Sequence, residues 1–324
     1  MKYNWAVIGC GHIAGEMAEA MKKNGGCFYA VASRRYEKAK EFAAKYSVNR
    51  VYETPDEMLL DENIDIIYIA TPHNTHIEYL KKALRANKHV LCEKAITLNS
   101  SELREAVTLA KENNLILAEA MTIYHCRVYD EVQKIISSGR LGKLKTIEVN
   151  LGSHKEYDMT NRFFNMFLAG GAMLDIGVYA LSFMRYFMSE KPSQVLSQMN
   201  KAPTGADEQV NMLLKNSFGE MATINLSLVS RLPKLALAGF ENGYVSFENY
   251  NRTNKAEVVF SDGSPSVSIL LPEDTDALRN EITDMENAVS GIPGGNMHLD
   301  FTLDVMDIMT AVRYEHKMLY PEEM

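Results

Sequence analysis

The chain has 324 residues, 46 % of them hydrophobic and 23 % charged, and 34 Lys and Arg against 42 Asp and Glu give a net charge of −8. That much apolar material supports full cores over about two domains, which excludes a disordered chain and a disulfide-stapled miniprotein. The acidic balance argues against a protein that coats nucleic acid or sits on anionic lipid.

The first 120 residues alternate β-rich runs with helical patterns. Strands are predicted at residues 3–9, 27–33, 64–70, 89–92 and 115–120, and helices at 13–23, 36–46, 75–86 and 100–113. Near-continuous apolar strands separated by helices specify a parallel sheet covered on both faces, the doubly wound α/β arrangement. Beyond a helix at 129–138 the pattern changes to alternating segments at 145–151, 209–215, 220–228, 235–238, 244–248, 257–260 and 267–271. Phe218-Gly219, Asn242-Gly243 and Asp262-Gly263 mark turns between them, so an antiparallel meander and an α+β second domain are expected. An apolar helix at 171–188 precedes most of this sheet, and helices at 275–290 and 298–315 close the chain. The expected division is a nucleotide-binding domain at 1–121 and a domain for substrate binding and oligomerisation at 122–324.

Residues 163–184 carry little charge and are long enough to span a bilayer. Asp175 in their middle would cost about 2.5–3.5 kcal/mol at bilayer depth, so a buried helix with no membrane partner is expected. The four cysteines (Cys10, Cys27, Cys92 and Cys126) form no paired or zinc-like spacing, and residues 1–8 leave no room for a signal-peptide core. A reduced, cytoplasmic protein follows from both.

Gly9-Cys10-Gly11-His12-Ile13-Ala14 is a G-x-G-x-x-A loop directly after a strand and opening a helix. Gly9 permits the tight turn, Gly11 lets the backbone approach a pyrophosphate, and small Ala14 allows close helix–strand packing. The amides of His12 and Ile13 begin the helix, whose N-terminus favours an anion. The second strand ends Val31-Ala32-Ser33-Arg34-Arg35, without the acid that holds the ribose hydroxyls of NAD. Ser33, Arg34 and Arg35 instead suit a 2′-phosphate, so NADP is expected and NAD is the lesser alternative.

Three further clusters carry a resemblance. Ala70-Thr71-Pro72-His73-Asn74-Thr75-His76 follows one strand, Cys92-Glu93-Lys94-Ala95 follows the next, and Gly170-Gly171-Ala172-Met173-Leu174-Asp175-Ile176-Gly177-Val178-Tyr179 opens the apolar helix. Together and in this order they resemble the glucose–fructose oxidoreductase/inositol dehydrogenase/rhizopine-catabolism (Gfo/Idh/MocA) family across essentially the whole chain. The resemblance implies an N-terminal Rossmann domain, a C-terminal domain on an open antiparallel sheet, and NAD(P)-dependent chemistry at an alcohol or carbonyl of a sugar or cyclitol. Asp followed four residues later by Tyr looks like the dihydrodiol dehydrogenase and glucose–fructose oxidoreductase branch, whereas inositol dehydrogenase-like members carry His in place of Tyr179. The usual Glu-Lys-Pro reads Glu93-Lys94-Ala95 here, a departure. The resemblance also implies that Thr71, Pro72, Asn74, His76, Glu93, Lys94, Met121 and Arg162 contribute to the cofactor side, Arg162 to cofactor or substrate, and that subunits pair as a homodimer or homotetramer.

Reducing a ketone needs a hydride at carbon and a proton at the developing alkoxide. Lys94 can stabilise that alkoxide, donate the proton, or lower the pKa of a neighbouring phenol. Asp175 and Tyr179 stand four apart on one helix face. A Tyr near its ordinary value of about 10 is a poor base, so it needs a cation beside it. The expected trio is Tyr179 as general acid/base, Lys94 as activator or direct donor, and Asp175 as anchor for a substrate hydroxyl. His73 and His76 stand three apart, but no companion ligands are evident and no metal is expected. The leading function is an NADP-dependent oxidoreductase acting on a sugar, cyclitol or dihydrodiol. A nucleotide-bound sensor on the same fold and an enzyme that retains its cofactor are the alternatives.

Overall fold

The computed structural model describes residues 1–272 and 276–324. Two compact units emerge, one made of Met1–Ala120 with Leu278–Leu299, the other of Met121–Ala277 with Asp300–Met324.

In the first unit, β1 (Trp5–Ile8), β2 (Ala30–Ala32), β3 (Arg50–Tyr52), β4 (Ile66–Ile69), β5 (His89–Glu93) and β6 (Leu117–Ala120) form one sheet. Its order is β3-β2-β1-β4-β5-β6 and every pairing is parallel. All residues of β1, β2, β4 and β6 are buried, which is why their sequences run apolar without alternation. The strand order reverses between β1 and β4, and sheets of this kind leave a ligand crevice beyond the carboxyl ends at such a point. Strand β3 and the helix Pro55–Leu59 are absent from the sequence-based elements. Three edge residues carry no periodicity to read.

The first unit also takes back a late segment of chain. Helix Ala277–Val289 places Leu278, Ile282 and Met285 at i, i+4 and i+7 in one core with Trp5, Met17 and Met21. Trp5 Nε1 donates to Glu286 Oε1 at 3.1 Å. A two-part division at residue 121 does not contain this return. The expected helix at 275–290 begins at Thr275, which lies outside the described residues.

In the second unit, β7 (Leu144–Gly152), β8 (Gln194–Lys201), β9 (Asp207–Lys215), β10 (Met221–Ser227), β11 (Leu232–Phe240), β12 (Gly243–Glu248), β13 (Lys255–Phe260) and β14 (Val267–Leu270) form a sheet ordered β14-β13-β12-β11-β7-β10-β9-β8. It is mixed rather than purely antiparallel, because β7 and β10 pair in parallel. The chain leaves β7 through a helical crossover, the connection that parallel neighbours require, before β8, β9 and β10 return by hairpins. Strand β8 also escaped the sequence reading: its outward residues are exposed and its pattern is polar.

One face of this sheet is buried under helix Val178–Phe187. Phe183 meets Phe247 of β12 at 5.5 Å, and Tyr129 stacks on Phe247 at 4.6 Å. The other face stays open. Across it Asn211 Nδ2 donates to Asn225 Oδ1 at 3.0 Å, and Asn225 Nδ2 donates to Asn150 Oδ1 at 2.8 Å, an amide ladder over three strands. The stretch Met166–Phe187 is apolar and long enough to cross a membrane by length and composition, yet 72 % of its apolar window is buried inside the protein.

Trp5 is the chain's single Trp and reports on the first unit alone. Met285→Ala removes a fully buried side chain from that unit's core and should cost about 2–5 kcal/mol. Urea unfolding followed by Trp5 fluorescence should shift to a lower midpoint. An unchanged midpoint would contradict the assignment of this helix to the first core.

Candidate active site

The glycine loop sits at the reversal point of the first sheet. Gly9 has φ +103°, and a Cβ there would lie 2.4 Å from the Ala70 carbonyl oxygen, so no other residue fits without displacing β4's end. Gly9 N donates to Ala32 O at 3.0 Å and Ala70 N to Ile8 O at 2.9 Å, which extends the ladder into the turn. Gly11 is the N-cap of helix His12–Lys23 and no side chain caps it. Its first-turn amides therefore face outward for an anion. His12 is exposed and pairs with Glu16 at 2.9 Å, Ile13 is half-buried, and Ala14 is fully buried in the core.

A groove of about 540 Å³ runs from this loop along the ends of β2 and β4. It brings together Gly9, Gly11, Ser33, Arg34, Arg35, Thr71 and Pro72 of the expected set. Cys10, Lys38 and Tyr79 also line it, and the sequence reading missed them. Lys38 was within reach of that reading, since it stands four residues after Arg34 at the start of a helix. Burial holds the Cys10 thiol up at about 11, so it stays protonated. The missing Cβ at Gly9, the uncapped helix start and the cationic rim fit a dinucleotide, with Ser33, Arg34, Arg35 and Lys38 toward one end.

Beside the groove, the loop after β5 is pinned from several directions. Buried Glu93 accepts the Tyr68 hydroxyl through Oε1 and the Lys94 amide through Oε2 at 3.3 Å. The Lys94–Ala95 peptide is cis. His73 Nε2 lies 3.0 Å from Lys94 O, and His76 Nδ1 lies 3.0 Å from Ala95 O. His76 Nε2 is also 2.8 Å from Thr71 O, and the ring is fully buried. The two histidines thus hold the backbone just after Lys94, and both ring nitrogens of His76 face carbonyl oxygens, to one of which the neutral imidazole donates. Asn74 is half-buried in the same turn. Among the described residues no group of three His, Cys, Asp or Glu stands close enough to hold a metal ion. Cys92 is fully buried, its thiol pushed well above the ordinary range by desolvation.

In the second unit the apolar helix opens with a π-turn over Met173–Gly177 and continues as Val178–Phe187. Such turns insert one residue into a helix and recur at functional sites. Asp175 stands in the middle of it, buried, with Oδ1 at 3.2 Å from Arg162 Nη1. Tyr179 is the half-exposed residue in a run of buried neighbours. Arg162 also lies over the Phe163 ring at 4.3 Å, while Phe164 is buried and Phe167 is 72 % exposed. Met121 is fully buried in this unit. Lys94 and Glu93 belong to the first unit, and Asp175, Tyr179, Arg162 and Met121 to the second.

Comparison with known proteins adds to this geometry. The model of an oxidoreductase family with an NAD-binding Rossmann fold matches residues 3–121, and that of the GFO/IDH/MocA C-terminal domain matches residues 129–265. Trans-1,2-dihydrobenzene-1,2-diol dehydrogenase of Xenopus laevis is 31 % identical over 237 residues, covering 72 % of this chain and 71 % of that protein. The protein of the same name from Danio rerio is 26 % identical and covers 100 % of this chain and 99 % of its own length. Among solved structures, an aldose-aldose oxidoreductase from Caulobacter crescentus, complexed with glycerol, superposes with a TM-score of 0.85 at 22 % identity over 98 % of both chains. A 3-ketoreductase from Actinomadura kijaniata, solved with NADP and TDP-benzene, gives 0.84 at 21 % identity over 96 % of this chain and 97 % of that one.

His76 yields a pH signature. Burial, the largest influence, holds the imidazole below its ordinary value of 6.5. As pH falls through that value the unfolded chain takes up a proton that the folded chain refuses, so stability is lost on acidification. Between about pH 7.5 and pH 5.5 the wild type should therefore lose stability more steeply than His76→Gln, which has no such proton to take. Urea midpoints read this difference, and equal slopes would refute it. At neutral pH the variant should be less stable by about 1–3 kcal/mol, because a buried carbonyl loses its partner.

Proposed function

We propose that this chain, which belongs to the GFO/IDH/MocA oxidoreductase family, is an NADP-dependent enzyme that moves a hydride between the nicotinamide and a CH–OH or C=O carbon of a sugar, cyclitol or dihydrodiol-like molecule. The observation that carries the cofactor preference is the groove's rim, where Ser33, Arg34, Arg35 and Lys38 gather and none of the lining residues is a carboxylate. Guanidinium groups match a phosphate with forked, charge-assisted bonds, whereas NAD recognition calls for an acid at this place. Relatives named for a dihydrodiol, an aldose and a 3-keto group support the substrate class.

Bound NADP(H) supplies or accepts the hydride. Tyr179 moves the proton at the substrate oxygen, and Lys94 offsets the charge that develops there, or donates the proton itself. Lys94 is suited to this because Glu93, His73 and His76 fix its backbone. Asp175, held by Arg162, accepts from a substrate hydroxyl and so orients the ring. Thr71, Asn74, His76, Glu93 and Met121 serve the cofactor side, by resemblance to the family. No disulfide joins the four cysteines, which supports a reducing compartment, the cytoplasm.

The test is a panel of ketoses, osones and diketones with NADPH, and of dihydrodiols and sugars with NADP⁺. Lys94→Ala and Tyr179→Phe should each lower kcat/KM by more than about tenfold with folding intact. Arg34→Ala should raise KM for NADP by about tenfold and leave NAD unaffected. No response to any substrate would favour a nucleotide-bound sensor instead.

The open sheet face supports a homodimer or homotetramer. Leu196 and Leu213 face each other across β8 and β9 and are 69 % and 51 % exposed, with Met221 and Tyr244 on the same sheet also exposed. Apolar side chains gathered on an otherwise polar face mark an interaction surface. Leu213→Glu should convert the assembly to monomer in a solution mass measurement. A wild-type protein that is already monomeric at micromolar concentration would refute the assembly.

A further inference from the structure

The helix that carries Asp175 and Tyr179 begins inside the second unit, where its first amides cannot reach water. No side chain from its own start caps it. The acceptor comes instead from 34 residues later: Met173 N donates to Asp207 Oδ2 at 2.6 Å, and the Ala172 amide also bonds this carboxyl. Asp207 is the first residue of β9, fully buried, and its Oδ1 has no hydrogen-bond partner. Space for that carboxyl exists because Gly171 has φ +135°, and a Cβ there would lie 1.9 Å from Oδ1. The chain's last residues close around the same point. Tyr320 OH donates to Gly170 O at 2.9 Å, one residue before Gly171. Arg313 forks onto Glu323 at 2.8 and 2.9 Å, and Glu323 Oε2 accepts the Tyr320 amide at 2.9 Å.

We propose that Asp207 is the positioning residue of the active helix: by holding the amides of Ala172 and Met173 it sets where Asp175 and Tyr179 stand, and the C-terminal turn locks it in place. The proposal rests on the functional reading above for its effect on turnover, but not for its effect on the helix. The start of a helix attracts negative charge, so the carboxylate holds the amides more tightly than the neutral acid does. The groups facing Asp207 are Arg313 from helix Leu299–Glu315 and Tyr320 from the C-terminal turn, with Glu322 and Glu323 acting on Tyr320; the active helix presents only backbone amides. Burial raises the Asp207 carboxyl to about 7, against which the amides and Arg313 pull down. The stability that this carboxyl contributes is therefore fully present below its ordinary value of 3.8 and is lost as pH rises through about 7, because burial disfavours the charged form.

Hydrogen exchange of residues 171–179 in the full-length protein, corrected for intrinsic rates, tests this directly. Wild type should lose protection in this segment as pH rises toward about 7. Asp207→Asn keeps an acceptor but no titration, so its protection should show no step. Asp207→Ala should lose protection at every pH and lower kcat by about tenfold with KM for NADPH unchanged, and Asp207→Asn should restore part of that loss. If Asp207→Ala does not fold, Glu323→Gln loosens the lock and should raise exchange in the same segment. Wild-type exchange in both Asp207→Ala and Glu323→Gln would overturn the proposal. If wild type turns over no substrate, the functional reading fails, and the exchange arm decides the positioning role alone.

Discussion

A helix that starts inside a protein has four amides that must find acceptors, and the two helices that matter most here meet that requirement in opposite ways. Helix His12–Lys23 starts on Gly11 with no side-chain acceptor, leaving its amides directed at the crevice beyond β1 and β4. The helix bearing Asp175 starts buried, and a carboxylate from a distant strand fills the place. The open start is a receptor for a phosphate. The filled start is a fixed mount for Asp175 and Tyr179. Much of the local design follows: Gly9 and Gly171 give up their side chains so that a carbonyl in one case and a carboxylate in the other can approach.

What was legible in the sequence was what depends on neighbours along the chain. Five of the six parallel strands announced themselves because burial demands unbroken apolar runs, and the glycine loop because its conformations demand glycine. Helix 36–46 could be placed to the residue for the same reason. Features set by distant parts of the chain were not legible. Strand β8 exists because β9 pairs with it, not because its own residues alternate. Helix Ala277–Val289 shows an amphipathic pattern, but nothing in that pattern says which core its apolar stripe will join. Asp207 follows Thr204-Gly205-Ala206 and reads as the residue after a turn. Only the fold shows that it closes the start of another helix.

The expected site residues divide in the same manner. Gly9, Gly11, Ser33, Arg34, Arg35, Thr71 and Pro72 line one groove, because each follows directly from a strand end on the same side of one sheet, whereas His12, Ile13, Ala14, Asn74 and His76 do not line it. His76 looked, by resemblance, like a contact for the cofactor. In the fold its ring is fully buried and faces the carbonyls of Thr71 and Ala95, which ties the end of β4 to the loop after Lys94. Arg162 stands on Asp175 rather than alone, so the two are best thought of as one charged couple at the mouth of the π-turn.

That π-turn makes the separation between Asp175 and Tyr179 a matter of residue count. It holds one residue more than an α-turn, and each residue of an α-helix advances the side-chain direction by about 100°. Dropping or adding a single residue between Met173 and Gly177 would keep the helix but swing Asp175 away from Tyr179. In that sense this one turn acts as a ruler.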